Sequence, residues 1–425
     1  MMRLKVSENR RFLAYEDNRP FFYLGDTAWE LFHRLNREEA DIYLKDRAAK
    51  GFTVIQAVAL AELDGLHTPN PYGHIPLQND DPTKPNEDYF QHVDYIVDKA
   101  ASLGLFIAML PTWGDKWNLK WGKGPEIFTP ENARVYGAWL AKRYAQKPII
   151  WVLGGDRPPE TAEHKAITRA MAEGIRASVG KTQLISYHTY GGHSSANYYH
   201  DDSWLDFNMF QTGHKRDQES WLSISTDYQR TPIKPCMDAE PGYENMPNDL
   251  KDAEVRIQTH HCRKYLYGAL FAGAHGHTYG CNDIWQMWAP GRQSVIHANL
   301  PWSEAIHLPG SGQMHFAKDL LLTRPFFTRI PDQMLIVSDT HSGGSYICAT
   351  RDSEGTYALV HSAAGLPFTL DLSKLRGPLD AAWFDPRTGA STPISTIEAK
   401  GEKEFHPPTQ GETQDWVLTL DRSKG

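Results

Sequence analysis

Two carboxylates close short apolar runs and are followed at once by turn residues. Asp156 ends the segment PIIWVLGGD, and Glu240 ends TPIKPCMDAE ahead of Pro241, Gly242 and Tyr243. A strand that stops at an acid before a turn is how a parallel barrel presents a reactive group at the carboxyl end of its sheet. Two such acids facing each other can cleave a glycosidic bond, one as proton donor and the other as nucleophile or base. A single acid in this position is more often a helix cap or half of a loop ion pair. The shared setting of the two turns the balance toward chemistry. Glu244 rivals Glu240 for its role but lies beyond the turn.

Holding two strand ends in one site takes a repeated fold. Apolar runs and amphipathic helical patterns alternate through the first three quarters of the chain, as repeated βα units do. After a small hairpin over 4–15, strands are expected at 21–24, 52–60, 105–110, 149–153, 183–187, 205–210, 233–238 and 275–279. Helices are expected at 37–50, 88–103, 131–144, 161–179, 220–229 and 251–272. Eight strands make an α/β fold, a (β/α)₈ barrel, followed by a small antiparallel β-sandwich. The boundaries expected are 1–325 for the catalytic barrel with its hairpin and 326–425 for the accessory sandwich. Past residue 325 the texture becomes alternating runs such as GTYALVHS and LDAAWFDPRTG, parted by Gly, Asp and Ser.

One barrel rim then collects the residues that follow the strands. Asp26, Gln56, His188, Gln211, His214, Tyr243 and Tyr279 are expected to read sugar hydroxyls, with Trp113 and Trp288 as stacking faces. About half of them would serve only to hold loops. The chain has 13 Trp and 19 Tyr, many beside Gly, Pro, His or Asn in loop-like text. Aromatic faces next to polar groups suit sugar rings, although most of these rings are expected in the core.

Bulk properties exclude several other classes. The net charge is −8 and no basic run occurs, so neither nucleic acid nor an anionic membrane surface is an expected partner. No apolar stretch is long enough to span a bilayer. The N-terminus MMRLKVSENRRFL lacks an apolar signal region, so a cytoplasmic protein is expected, or a secreted or periplasmic one whose leader is missing. Cys236, Cys262, Cys281 and Cys348 form no CxxC pair and suggest no disulfide framework. His188, His193, His200 and His214 cluster in sequence but show no HxH or HExxH spacing, so neither a metal nor any other cofactor is expected. His260-His261 reads as surface or packing. Ser194-Ser195 lacks a GxSxG setting, and Gly154-Gly155 is too short for a phosphate loop.

Several segments together carry a family likeness. YLGDTAWELFHRL, GFTVIQ, WVLGGD, GGHSSANYYHDDSWLDFNMFQTGH and DAEPGYE, in this order, resemble the apiosidase-like barrel once called DUF4038, grouped with glycoside hydrolase family 140. AAWFDPRTGA resembles the small collagen-binding-type β-sandwich that commonly follows it, a label that implies no collagen binding here. The resemblance covers nearly the whole chain. It implies that the Asp of GGD, Asp156, and the Glu of the EPxYE motif, Glu240, form the catalytic pair. It also implies release of apiose from rhamnogalacturonan II, a pectic polysaccharide. In the larger barrel superfamily called clan A, the acid/base follows strand four and the nucleophile ends strand seven. The strand count puts Asp156 and Glu240 at those places, with Asp where that superfamily has Glu.

The reading is therefore a glycoside hydrolase, retaining and exo-acting, that cleaves a terminal apiose or similar pentose. An endo-acting glycanase and a non-catalytic sugar-binding protein are the alternatives. Long loops at 61–87 and 282–312 would wall off a pocket, which favours exo action. Oligomeric state is not legible.

Overall fold

The computed structural model describes residues 3–423 and has the expected barrel. Its strands are β1 (Tyr23–Thr27), β2 (Val54–Leu60), β3 (Phe106–Thr112), β4 (Ile149–Gly154), β5 (Ile185–His188), β6 (Asn208–Gln211), β7 (Cys236–Asp238) and β8 (Gly276–Tyr279). They pair in parallel in the order β5-β4-β3-β2-β1-β8-β7-β6. Between β5 and β6 the circle is bridged by single bonds. The Asp206 amide donates to the Ile185 carbonyl at 2.9 Å, and the Ser186 hydroxyl to that of Phe207 at 2.7 Å.

β2 and β3 are buried along their whole length, because helices cover the outside and side chains fill the inside. The helices start where the sequence offers caps. Asn36 and Glu39 form a reciprocal capping box at the start of Arg37–Ala49, and Thr129 and Asn132 do the same for Pro130–Arg143.

Two expectations about elements need correction. The helix expected over 251–272 is a strand, Asp252–Arg256, followed by a helix from Thr259 to Phe271. Arg256 fixes the strand by donating to the Asn245 and His297 carbonyls, and His261 Nδ1 accepts the Gln258 amide where the helix begins. β1 runs on to Thr27, which puts Asp26 inside the sheet and not on its rim.

The C-terminal part is a six-stranded antiparallel sheet faced by the two-stranded ribbon of Phe368–Asp371 and Glu402–Phe405. Leu370 and Phe405 of the ribbon share a core with Leu379 and Leu418 of the sheet. The sheet docks on barrel helices through buried contacts. Arg263 donates to both carboxylate oxygens of Asp415, at 2.6 and 2.9 Å, and Trp221 stacks on Tyr346 with centroids 4.1 Å apart.

Candidate active site

The chain leaves β4 through an unusual turn. Gly154, Gly155 and Asp156 all have positive φ, at 95°, 105° and 57°. A Cβ at Gly154 would lie 2.1 Å from the His188 carbonyl oxygen, so only glycine fits there. The turn swings Asp156 into a cavity of about 640 Å³ at the carboxyl end of the barrel. Trp121 Nε1 donates to its Oδ2 at 3.2 Å, and Arg157 Nη1 donates to its Oδ2 at 3.3 Å and its carbonyl at 2.9 Å. Burial pushes the Asp156 carboxyl up, and the negative charge of Glu240 pushes it further, to about 6.

Glu240 follows β7 and faces the same cavity. His188 Nε2 donates to its Oε2 at 2.7 Å and His214 Nε2 to its Oε1 at 3.2 Å. Burial alone would raise this carboxyl. The bonds from the two histidines outweigh burial and hold it low, at about 2. One acid is therefore poised to keep a proton and the other to stay ionised.

His188 is itself held by aromatic rings. Trp29 and Trp113 lie 5.1 and 5.8 Å from its ring. Both tryptophans also line the cavity, with Tyr243 and Trp285. Trp113 Nε1 and Gln211 Oε1 are buried without hydrogen-bond partners.

The structure thus brings together Asp156, Glu240, Trp113, Gln211, His214 and Tyr243 in the cavity wall, with His188 behind Glu240. Three expected rim residues stand elsewhere. Asp26 points outward from β1 and is fully buried between Tyr43, whose hydroxyl donates to it at 2.5 Å, and Arg47. Gln56 fills the barrel interior, donating to Thr27 Oγ1 and the Ala239 carbonyl. Tyr279 donates its hydroxyl to Glu244. Trp288 gives way to Trp285, because the chain turns at Met287 with φ 45° and only Trp285 reaches the cavity. The Tyr243 ring packs on His214, with centroids 4.5 Å apart, beside the two histidine bonds to Glu240. Glu244, the rival acid, is committed to the Tyr279 and Thr259 hydroxyls and to the Gly310 amide at the start of helix Pro309–Leu322.

Of the histidines clustered in sequence, His188 and His214 meet at Glu240 and the other two stand apart. His193 stacks on Tyr190, and His200 bonds the Pro232 carbonyl and Asn208. His260 and His261 are buried with Glu412 beside them, against the C-terminal part and away from the cavity. All four cysteines are free and buried. Among the described residues no helix is long and apolar enough to cross a membrane.

Sequence reasoning missed Trp29, Glu62, Trp121 and Tyr190, all in the cavity wall. Glu62 and Trp29 each lie just past a strand end, at Leu60 and Thr27, which was the signal available.

A barrel of this form with two unlike carboxyls in the mouth, from β4 and β7, is that of a glycoside hydrolase. The chain belongs to the family described as "Apiosidase-like, catalytic domain", whose sequence signature matches residues 7–328. Residues 330–421 match a second signature, "Putative collagen-binding domain of a collagenase". A solved structure described as a glycoside hydrolase is 33% identical over 99% of this chain and 97% of its own, with a TM-score of 0.91. A glycoside hydrolase family 5 structure from Bacteroides vulgatus ATCC 8482 is 34% identical over 99% of this chain and 94% of its own, also at 0.91. An exo-β-1,4-mannosidase from Opitutaceae bacterium strain TAV5 shares the barrel fold at 13% identity and a TM-score of 0.53, over 76% of this chain and 63% of its own. No curated protein sequence matches the chain.

Proposed function

We propose that the protein is a retaining, exo-acting glycosidase that releases a terminal apiose, or a similar pentose, from plant polysaccharide side chains. The observation that carries this reading is the pairing of a proton-holding Asp156 with an ionised, histidine-clasped Glu240 in one cavity. Glu240 attacks the anomeric carbon while Asp156 passes its proton to the departing oxygen, giving a glycosyl-enzyme and the free leaving group. Asp156, now a carboxylate, takes a proton from water, which attacks the same carbon and frees Glu240. His188 and His214 donate to Glu240 throughout and keep it aimed.

The exo reading rests on the cavity walls. Trp121, Leu250 and Ile296 come from three separate loops and close around the acids. Apiose is favoured by the family to which residues 7–328 belong. Hydrolysis of an aryl apioside and of rhamnogalacturonan II, followed by chromatography, tests the reading. Free apiose as the sole sugar product is expected. Internal oligosaccharides would replace it with an endo-acting glycanase.

A further inference from the structure

One carboxyl in the cavity has no assigned task. Glu62 lies two residues past the end of β2, where the chain turns out of the barrel. It is the acid shared by two cavities. The first holds Asp156 and Glu240; the second, about 840 Å³, adjoins it and is lined by Arg34, Asn70, Lys123 and Arg292 among others. Val295 forms part of both walls, so the two spaces meet at Glu62 and Val295.

Glu62 is a partly buried acid without a close partner. Its side chain is 17% exposed and its ion-pair partner, Arg157 Nη2, is 3.8 Å away, too far for a hydrogen bond. Arg157 Nη1 is bonded to Asp156, and Nη2 donates to the Trp121 carbonyl. The groups whose charges bear on Glu62 come from three strand ends: Asp156 and Arg157 after β4, Asp115 after β3 and Glu30 after β1. Burial raises this carboxyl first and Asp156 raises it further, to about 8, so it carries a proton at neutral pH and can donate as well as accept. In the second cavity Asn70 is buried, and its Nδ2 has no partner. Buried polar atoms are seldom left unpaired without a reason.

The side on which Glu62 sits is set by its neighbours. Asp156 gives its proton to the departing oxygen, so the leaving group must lie on the Asp156 side of the cleaved bond. Glu62 stands beside Arg157, which also bonds the Asp156 carboxylate, whereas Glu240 is bonded by His188 and His214. Resting on the glycosidase reading above, we infer that Glu62 hydrogen-bonds the leaving-group sugar, and that the second cavity is where that part of the glycan lies. Glu62 is thus a specificity-determining residue for the portion of substrate that is released, not for the sugar held by Glu240.

The test compares Glu62→Ala and Glu62→Gln with wild type on an aryl apioside and on a rhamnogalacturonan II oligosaccharide. An aryl leaving group offers no hydroxyl to Glu62. Glu62→Ala is expected to lower kcat/KM on the oligosaccharide at least about 10-fold more than on the aryl apioside, the scale of one buried hydrogen bond. Glu62→Gln, which keeps a donor and an acceptor, is expected to recover most of that gap. Equal losses on both substrates, or none on either, would overturn the inference while leaving the glycosidase reading intact. A wild-type protein that cleaves no glycoside would sink that reading instead. Glu62 is then still read by titrating the oligosaccharide, and apiose alone, into Glu240→Gln with and without Glu62→Ala. An approximately 10-fold weakening for the oligosaccharide and not for apiose supports the inference, and any other pattern overturns it.

Discussion

His188 Nε2 sits 2.7 Å from Glu240 Oε2, and the histidine that makes this bond is packed against both Trp29 and Trp113. The bond joins the end of β5 to the end of β7 across the barrel mouth. Together with His214 it keeps Glu240 charged in a place where burial alone would favour the neutral acid. Removing either histidine therefore raises the Glu240 pKa. The acidic limb of kcat/KM, set in wild type by protonation of Glu240 near 2, should move to higher pH in His188→Ala and in His214→Ala. The shorter bond predicts the larger shift for His188. A pH–rate profile checks this, and an acidic limb that stays in place contradicts it.

On the proposed mechanism, Asp156 governs the alkaline limb. Activity should fall as pH rises through about 6, where Asp156 loses the proton it must donate. Trp121 holds the ionised form through its indole bond, so Trp121→Phe should push this limb upward. Asp156→Asn should lower turnover of natural glycosides roughly 10²–10⁴-fold, the scale of a positioned proton donor. Stability should move the other way. A carboxyl raised above its unfolded value of roughly 3.9 binds its proton more tightly when folded, so the fold weakens as pH rises from there to about 6. Asp156→Asn should therefore melt above wild type at pH 7 and lose this advantage near pH 4.

Gly154 tests the turn that delivers Asp156. Gly154→Ala places a Cβ 2.1 Å from the His188 carbonyl at a φ of 95°. A cost of about 1–3 kcal/mol is expected from backbone strain, before the clash is counted. Both Asp156 and His188 should shift, so kcat/KM should fall together with the melting temperature. An alanine variant with wild-type melting and turnover would show that the turn is tolerant.

The C-terminal sheet bears on stability and, in this account, takes no part in the chemistry. Arg263 and Asp415 are both buried and joined at 2.6 Å. Asp415→Ala leaves the guanidinium uncompensated and should cost about 3–5 kcal/mol. Thermal melting should register the loss, while KM measured well below the melting point should hold. A raised KM in the folded protein would place the sheet in substrate binding.

The barrel was legible because its signals are local. Apolar runs with polar ends recur eight times, caps mark several of the helices between them, and the two acids stand at two of those ends. What was not legible depended on register and on packing across the barrel. Asp26 looked like a rim residue because β1 seemed to end at Leu24. The strand continues to Thr27, and strict alternation turns Asp26 outward to Arg47. Trp285 ends the short helix Asn282–Trp285 and Trp288 follows the turn at Met287, and only Trp285 lines the cavity. His188 ends β5 and His214 follows β6, but that both bond Glu240 depends on distances across the barrel. Arg256 is tied by carbonyls distant in sequence, which turned an apparent helix into a strand.

The most direct measurement of the central claim is trapping of the glycosyl-enzyme. A fluorinated apioside that forms the intermediate quickly and releases it slowly should add one sugar mass to the protein, and peptide mapping should find it on Glu240. Proton NMR of the first product should show retained anomeric configuration. A label on any other residue, or an inverted first product, would contradict Glu240 as nucleophile and recast it as a general base.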